Sequence, residues 1–189
     1  MEGLASLLVA EGELRGLIGP RELPRLWTRH LLNSSAVARF VPDGVRFADV
    51  GSGAGFPGVV VAIMRPDLDV TLIEPMERRT DWLEHVADSL SLDNVSVVRA
   101  RAEELHGAQE FDVVSARAVA ALKKLVPWVA PLIGGGGSLV ALKGERAAFE
   151  VEDAAKVLRK HKLADTQVHD VLVEGTEELT RVVTARRAG

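Results

Sequence analysis

The sequence contains no cysteine and no tyrosine, and it has only three tryptophans and five phenylalanines among 189 residues. Without cysteine, a disulfide scaffold, a cysteine-ligated metal and a thiol nucleophile are all excluded. No apolar run reaches the length of a membrane span, and the N-terminal residues include Glu2, Glu11 and Glu13 instead of the basic start of a signal peptide. We therefore expect a cytoplasmic protein that has no membrane partner.

The net charge of −4 does not by itself indicate a nucleic-acid-binding protein. The basic residues nevertheless form local clusters, which are Arg21, Arg25, Arg29 and His30; Arg78 and Arg79; Arg99 and Arg101; Lys123 and Lys124; and Lys143 and Arg146. Exposed charges are screened beyond about 8–10 Å, so a local basic face can bind phosphates on an acidic protein. The five histidines are too scattered for a metal site, and no metal is expected.

The stretch FADVGSGAGFPG, residues 47–58, reads as a buried strand, a glycine turn and the start of a helix. Its glycines, which include Gly51, Gly53 and Gly55, disfavour a regular element and leave bare backbone for a ligand to approach. Pro57 suits the first turn of the helix, where its missing N–H has no partner to lose. Because a helix start offers free N–H groups, this turn predicts a site for a nucleotide-like ligand.

Asp49 distinguishes between the possible nucleotides. The spacing Gly53-x-Gly55-x-x-Gly58 matches the dinucleotide fingerprint, which does not separate NAD from other adenosine cofactors. A carboxylate at the end of the strand would repel a pyrophosphate, whereas it would attract the ammonium group of a methionine moiety. The sequence therefore favours S-adenosylmethionine over NAD, with Asp49 as the partner of the ammonium group.

The remaining chain alternates between strands and helices. We predict two N-terminal helices over residues 3–17 and 21–40, the second closed by Pro42 and Gly44. After the glycine turn the predicted strands are 70–73, 95–99, 111–115 and 138–143, with a loop over 134–137, and the predicted helices are 77–90, 102–105, 122–132 and 147–161. Two further strands, 168–173 and 181–186, leave no room for a helix between them and should pair as an antiparallel hairpin.

This order predicts an α/β fold with a mainly parallel sheet, helices on both faces, a C-terminal antiparallel hairpin and an N-terminal helical layer. The length suits a single domain, in which residues 1–44 form a helical extension and residues 45–189 the α/β core.

Ligands of open α/β sheets bind outside the carboxyl ends of the strands. The second strand ends in Glu74, whose carboxylate can accept both ribose hydroxyls. The third leads into Ala102 and Glu103, which could border the adenine. The fourth and fifth lead to Arg117 and Lys143, two cations that could meet a carboxylate or an RNA phosphate.

Six motifs resemble one known family in order and spacing. They are RHLLNS (29–34), FADVGSGAGFPG (47–58), LIEPMERR (72–79), RAEEL (101–105), SARAVA (115–120) and ALKG (141–144). The chain is similar from Arg21 to Arg187 to the bacterial 16S ribosomal RNA guanine-N7 methyltransferases, also called the glucose-inhibited division protein B family. The glycine turn is common to many methyltransferases, whereas the SARA and ALKG elements with the upstream RH motif are far more specific.

The resemblance implies a Rossmann-like class I methyltransferase that modifies one guanine in small-subunit rRNA, with 16S rRNA or the 30S subunit as partner. We expect the protein to be a monomer. It places the cofactor on Gly51, Phe56, Glu74, Ala102, Glu103 and Arg117. Two features depart from the family: Asn33 stands where the family usually has aspartate, and the N-terminal helical segment looks shorter.

Guanine N7 carries a lone pair and no proton, so its methylation needs no general base, and the protein must orient, desolvate and balance charge. We therefore expect His30, Arg117 and Lys143 to form the catalytic group. Arg29, His30, Lys123 and Lys143 are the expected RNA-binding residues. A side chain that donates to guanine O6 would orient the base, whereas an arginine clamping both O6 and N7 would block the reaction.

Three other functions fit parts of the sequence. A small-molecule methyltransferase would bind the cofactor but leave the basic clusters unexplained. An NAD-dependent oxidoreductase conflicts with Asp49. A non-catalytic RNA-binding module could keep the same fold without turnover.

Overall fold

The structure is a computed structural model that describes residues 1–189. Its centre is a seven-stranded sheet with the order β3-β2-β1-β4-β5-β7-β6. The strands are β1 (Arg46–Val50), β2 (Asp69–Ile73), β3 (Val95–Val98), β4 (Phe111–Arg117), β5 (Ile133–Lys143), β6 (Leu163–Leu172) and β7 (Leu179–Arg187). Strands β1 to β5 are parallel, and β7 joins β5 and β6 through antiparallel pairing. The predicted fold class and C-terminal hairpin are thereby confirmed.

Apolar side chains cover both faces of the sheet, because alternate strand residues point to opposite sides. Phe47, Leu72 and Val113 lie on the face that packs against helices Gly58–Met64 and Glu77–Ser89. Residues such as Ala48, Ile73 and Val114 lie on the opposite face, which helices Leu122–Val129 and Ala147–Lys160 cover. The predicted arrangement of helices on both faces is therefore correct.

The first N-terminal helix is shorter than predicted. It spans Glu2–Glu11 and buries Leu4 and Leu8 against the first face of the sheet. Gly16 adopts a positive φ of 63°, which a helix cannot accommodate, and Leu14 is 89% exposed. The prediction that the helix and its apolar face include Leu14 was wrong, since the chain turns after Glu11. Leu17 lies beyond the helix but still packs against the apolar core, as its predicted burial requires.

The second helical segment, residues 23–40, is irregular instead of a single α-helix. It consists of a 3₁₀ turn (Leu23–Arg25), a π-helical stretch (Leu26–Leu32), a short α turn (Asn33–Ser35) and a second 3₁₀ stretch (Ala36–Phe40). Departures of this kind are frequent at functional sites. The segment lies on the first face of the sheet and reaches the carboxyl end of β4, where residues 29, 30 and 34 contact Arg117.

Two elements near the C-terminal half also differ from prediction. The predicted loop 134–137 belongs to β5, although it interrupts the pairing with β4, where Phe111 faces Ile133 and Val113 faces Ser138. Strand β4 continues two residues beyond its predicted end, so that Arg117 is its last residue. None of the helices has the combination of length and apolar character that crossing a membrane requires.

Candidate active site

A crevice of about 390 Å³ opens at the carboxyl ends of the parallel strands. This is the edge where open α/β sheets bind their ligands, and the volume lies in the range of small-molecule sites. Five of the predicted site residues line it, namely Gly51, Glu74, Ala102, Glu103 and Arg117. The parallel topology thus brings together residues that are far apart in the sequence.

Gly51 forms the crevice wall at the end of β1. Its φ of +74° lies in the left-handed region, which only glycine adopts without cost. A Cβ atom at this position would lie 2.7 Å from Cγ2 of Val119, so the loop after β4 also leaves no room for a side chain. Gly53 and Gly55 continue the turn, likewise with positive φ angles. The bare backbone predicted from the sequence is present at the turn.

Glu74 is 2% exposed and connects the end of β2 with the glycine turn. Its Oε2 accepts the N–H of Gly53 at 3.0 Å, and its Oε1 accepts the N–H of Met76 at 3.2 Å. Because each carboxylate oxygen has two lone pairs, both oxygens can accept a further hydrogen bond from a ligand. This geometry leaves capacity for the two ribose hydroxyls that the sequence assigned to Glu74.

Ala102 and Glu103 begin the 3₁₀ turn Ala102–Leu105 at the crevice edge. Arg101 and Glu104 cap this turn, since the N–H of Arg101 donates to the Glu104 carboxylate at 2.7 Å. The cap fixes the path of the backbone beside the crevice. Trp128 lines the crevice as well and adds an aromatic surface.

Asp49 is fully buried and does not line the crevice. Its Oδ2 accepts the N–H of Gly58 at 2.9 Å, whereas its Oδ1 has no hydrogen-bond partner. Burial raises the pKa of this carboxyl to about 7, although the hydrogen bond from Gly58 opposes the rise. The structure thus places Asp49 beneath the turn, and its assignment to the ammonium group of the cofactor stays a prediction.

Phe56 lies between two polar groups at the other end of the turn. The ring of His30 stacks on it with a centroid distance of 5.3 Å and an interplanar angle of 26°. The guanidinium carbon of Arg117 lies 5.3 Å from the centroid of the same ring. Both contacts are favourable, because an imidazole can stack on the ring and a cation is attracted to its face. His30, Phe56 and Arg117 therefore form one cluster.

Arg117 is held by the second helical segment. Its Nη1 donates to Ser34 Oγ at 3.1 Å and to the carbonyl of His30 at 3.3 Å. Its Nη2 lies 3.1 Å from the carbonyl of Arg29 and 2.8 Å from Nδ1 of His30. Desolvation and the nearby charge of Arg29 lower the pKa of Arg117 to about 10, so the guanidinium stays charged at neutral pH.

Lys143 is much less accessible than an RNA-facing cation should be. Its side chain is 8% exposed, and its Nζ lies 2.9 Å from the Glu150 carboxylate. The same Nζ donates to the carbonyl of Ala120 at 2.7 Å, while Glu150 accepts the N–H of Leu122. Lys143 and Glu150 together clamp the loop that follows Arg117.

The other two predicted RNA-binding residues lie at the surface. Arg29 has a side chain that is 51% exposed, and its Nε lies 3.7 Å from the Glu22 carboxylate. Lys123 is exposed and pairs with Asp153 at 3.1 Å. Contacts of this type are weak in water, so both cations can be released to a phosphate. No group of three or more histidine or carboxylate side chains converges as a metal site would require.

Comparison with known proteins identifies the family. The family model for the GidB rRNA small subunit methyltransferase G matches residues 1–180. The chain belongs to this family. It is 56% identical to the ribosomal RNA small subunit methyltransferase G of Beutenbergia cavernae over 180 residues. The aligned region covers 95% of this chain and 85% of that protein. It is 54% identical over 176 residues to the corresponding protein of Pseudarthrobacter chlorophenolicus, with 93% and 82% covered.

Solved structures show the same fold at low sequence identity. A SAM-dependent O-methyltransferase from Thermotoga maritima superposes with a TM-score of 0.66 at 18% identity, over 83% of this chain and 65% of that one. A precorrin-6y C5,15-methyltransferase from Geobacter metallireducens gives 0.62 at 17% identity, over 91% of both chains. The Rossmann-like class I methyltransferase fold is thereby confirmed, and this GidB-family member is a methyltransferase.

Asn33 is the residue at which this GidB-family member departs from the expected aspartate. Its Nδ2 donates to Oγ1 of Thr180 at 2.8 Å, and Thr180 is buried at the start of β7. Asn33 therefore joins the second helical segment to the C-terminal hairpin. It makes this contact as a neutral donor, which an aspartate carboxylate at the same position could not do.

Three residues that contribute to the site were not among those predicted from the sequence. Glu22 and Ser34 contact His30 and Arg117, respectively, and Arg79 lines the crevice with its Nη1 3.7 Å from the Glu74 carboxylate. Ser34 and Arg79 lie within quoted motifs, which is the signal that could have found them. Glu22 lies outside every motif, and only the fold reveals its contact.

Proposed function

We propose that this protein transfers the methyl group of S-adenosylmethionine to N7 of a specific guanine in 16S rRNA of the small ribosomal subunit. The observation that carries the proposal is the crevice at the strand ends, where Gly51, Glu74 and Arg117 converge beside an aromatic cluster. Membership of the rRNA small subunit methyltransferase G family supports the choice of substrate.

The residues of the crevice fit the proposed cofactor. Glu74 would accept the ribose hydroxyls, since both of its oxygens keep free lone pairs after bonding to the backbone. Ala102 and Glu103 would border the adenine. Gly51 would let the cofactor approach the backbone, because it has no side chain to intrude there. Arg117, which stays cationic, would face a carboxylate at the methionine end.

The chemistry places few demands on acid–base residues. The bound cofactor supplies an electrophilic methyl group on a positively charged sulfur. Guanine N7 already carries the attacking lone pair, so no residue has to remove a proton. The protein contributes by positioning and by excluding water, effects that together can lower a barrier by several kcal/mol. A neutral His30 suits this role, and burial together with Arg117 lowers its pKa.

Arg29, His30, Lys123 and Lys143 are the proposed RNA contacts, and the structure supports them unequally. Arg29 and Lys123 are more than half exposed and bind only to surface carboxylates. His30 is part of the aromatic cluster. Lys143 would have to leave Glu150 before it could reach a phosphate, so its contribution is better explained through the loop it clamps.

The proposal includes 16S rRNA or the 30S subunit as partner, a monomeric and metal-independent enzyme, and the cytoplasm as the compartment in which the ribosomal substrate is found. It also treats residues 1–189 as one methyltransferase domain with a helical extension over 1–44 and a Rossmann-like core over 45–189. Shared packing supports the single unit, because Leu4 and Leu8 of the extension lie in the same apolar core as Phe47 of β1.

The test is methylation of 30S subunits taken from cells that lack this activity. Purified protein and radiolabelled cofactor are incubated with the subunits, and the label is mapped by strand scission specific for N7-methylguanine. We expect one labelled guanine in 16S rRNA. Label in small molecules alone, or cofactor binding without rRNA labelling, would refute the proposed substrate.

Arg117→Ala and Arg159→Ala provide a matched pair for this assay. Arg117→Ala removes charge-assisted hydrogen bonds worth about 1.5–3 kcal/mol, so at least a tenfold loss of cofactor affinity is expected. Arg159 is an exposed arginine on helix Ala147–Lys160, far along the chain from the crevice residues, and its variant should behave as the wild type. Equal affinities for the two variants would remove Arg117 from the cofactor site.

A further inference from the structure

Glu22 contacts the aromatic cluster although it lies outside every motif of the sequence. It immediately precedes the 3₁₀ turn Leu23–Arg25, and the chain folds back so that its Oε2 lies 2.9 Å from Nε2 of His30. The same oxygen lies 3.7 Å from Nε of Arg29. The hydrogen bond with His30 keeps the pKa of Glu22 below its usual range, so the carboxylate is ionised at neutral pH.

The two neighbours of His30 allow only one neutral form of its ring. Nδ1 lies 2.8 Å from Nη2 of Arg117, and a guanidinium can donate hydrogen bonds but cannot accept them. Nδ1 must therefore be the acceptor, so the proton of the neutral ring resides on Nε2. Nε2 then donates to Glu22, which as a carboxylate can only accept. One chain of hydrogen bonds runs from Arg117 through His30 to Glu22.

This chain determines where the Arg117 guanidinium points. The Nδ1 contact is the shortest of the four that hold the guanidinium, and the ring of Phe56 lies against both His30 and Arg117. If the proton moved to Nδ1, an N–H would face an N–H and Arg117 would lose its nearest acceptor. The tautomer of His30 therefore decides whether Arg117, a crevice residue, keeps the shortest of the four contacts that orient its guanidinium.

We propose that Glu22 is a positioning residue of this methyltransferase, which holds His30 in the Nε2–H tautomer so that His30 fixes Arg117 beside the glycine turn. The inference rests on the proposed function only for what Arg117 contacts during the reaction. The hydrogen-bond chain itself is a property of the protein and is measurable without a substrate.

Protonation of His30 would break the same chain, because the imidazolium carries a proton on both nitrogens. The charged groups that face His30 are Glu22, which immediately precedes the second helical segment, Arg29 from that segment, and Arg117 from β4. Burial and Arg117 lower the pKa of His30, whereas Glu22 raises it. Activity should therefore decline towards acid pH, below the ordinary histidine value of about 6.5, with a midpoint that depends on the charge of Glu22.

Nitrogen NMR of protein labelled with ¹⁵N-histidine reads the tautomer directly. His30 should show the pattern of a neutral Nε2–H ring at pH 8, and its signals are assigned by their absence from His30→Asn. Glu22→Ala removes the acceptor of the Nε2–H group and leaves the ring held through Arg117 alone. If Glu22 is needed to hold the ring, His30 should then turn away from Arg117, show a mixture of tautomers, and support at least a tenfold lower turnover at saturating cofactor and 30S subunits. Glu13→Ala, which removes an exposed acid nearby in the sequence, should change neither quantity.

Glu22→Gln separates the charge of Glu22 from its ability to accept a hydrogen bond. The glutamine keeps an acceptor oxygen, so the tautomer should persist and turnover at pH 8 should stay within about threefold of wild type. Loss of the charge should move the acid limb of the pH–rate profile to lower pH, since Glu22 stabilises the imidazolium.

Two results would overturn the inference: an unchanged Nε2–H tautomer in Glu22→Ala, or an acid limb in Glu22→Gln that coincides with the wild type. A protein that proved inactive on rRNA would fail the turnover measurements alone. The NMR measurements would still decide the role of Glu22, so the failure of this inference and the failure of the proposed function are distinguishable.

Discussion

The buried carboxylate of Asp49 and the backbone N–H of Gly58, nine residues apart, are joined by a hydrogen bond of 2.9 Å. This contact ties the end of β1 to the start of helix Gly58–Met64 and so closes the glycine turn from below. It also contributes to the need for glycine at position 58, because a Cβ there would meet Cδ2 of Leu72 and would lie 2.7 Å from Oδ2 of Asp49. The shape of the cofactor turn therefore depends on a side chain that does not line the crevice.

Substitutions of Asp49 should separate this structural contact from a direct contact with the cofactor. The amide oxygen introduced by Asp49→Asn can still accept the N–H of Gly58, so we expect this variant to bind S-adenosylmethionine within about threefold of wild type. Asp49→Ala removes the acceptor and should lose about tenfold or more, since an unsatisfied buried N–H costs about 1–3 kcal/mol. Isothermal titration calorimetry provides both affinities. A tenfold loss in Asp49→Asn would instead favour charge attraction to the methionine ammonium.

The pKa of Asp49 also predicts a pH dependence of stability. Burial raises this pKa to about 7 in the folded protein, whereas the unfolded chain has the ordinary aspartate value of about 3.9. Between these values the native state binds more protons than the unfolded state, so the contribution of Asp49 to the free energy of unfolding falls as pH rises through this window. Denaturant titrations give the free energy of unfolding at pH 5 and at pH 8. The change in this free energy between the two pH values should be smaller for Asp49→Asn than for wild type. An equal change in both proteins would contradict the raised pKa of Asp49.

Gly51→Ala should damage both stability and cofactor binding. A non-glycine residue at a positive φ costs about 1–2 kcal/mol, and the new methyl group would lie too close to Val119. We expect a comparable loss in the free energy of unfolding and weaker cofactor binding. Gly19→Ala is the matched control, because it has open space around the added methyl group and no positive φ. Equal effects of the two substitutions would argue against a strained turn.

Lys143→Ala should destabilise the fold more than an ordinary lysine substitution. It leaves the Glu150 carboxylate, which is only 25% exposed, without its partner, and breaking a buried pair costs about 3 kcal/mol. For a protein of this size, that loss lowers Tm by roughly 6–12 °C. Lys123→Ala breaks the exposed pair with Asp153 and should change Tm little. A Tm of Lys143→Ala close to that of Lys123→Ala would show that the pair with Glu150 contributes little stability. Lys143 could then leave Glu150 easily and contact RNA, as the sequence predicted.

The predicted secondary structure failed where local sequence competes with tertiary packing. Residues 21–40 have the apolar spacing of an α-helix, yet the chain adopts 3₁₀ and π turns there. These irregular turns coincide with the contacts of Ser34 and two backbone carbonyls to Arg117, a residue more than 80 positions away. A pattern read along the chain contains no information about such a partner.

The candidate site also combines positions that the sequence predicts with side-chain partners that only the packing of elements reveals. Gly51, Glu74 and Ala102 follow β1, β2 and β3, and Arg117 ends β4, so their convergence could be predicted once the sheet was known to be parallel. Lys143 likewise ends β5, but its side chain lies against Glu150 of a neighbouring helix. The strand determined its position in the fold, and helix packing determined its partner.

The sequence by itself determined the alternation of strands and helices, the glycine turn and the chemical types of residue at the strand ends, because each of these depends on local backbone preference and on apolar periodicity. Only the tertiary structure decided that Asp49 lies beneath the turn, that Lys143 is paired, and that Glu22 contacts His30. Those outcomes depend on which face of an element each side chain occupies and on which distant group meets it there. Hydrogen bonds are short and directional, so such partners become defined only when the elements have packed.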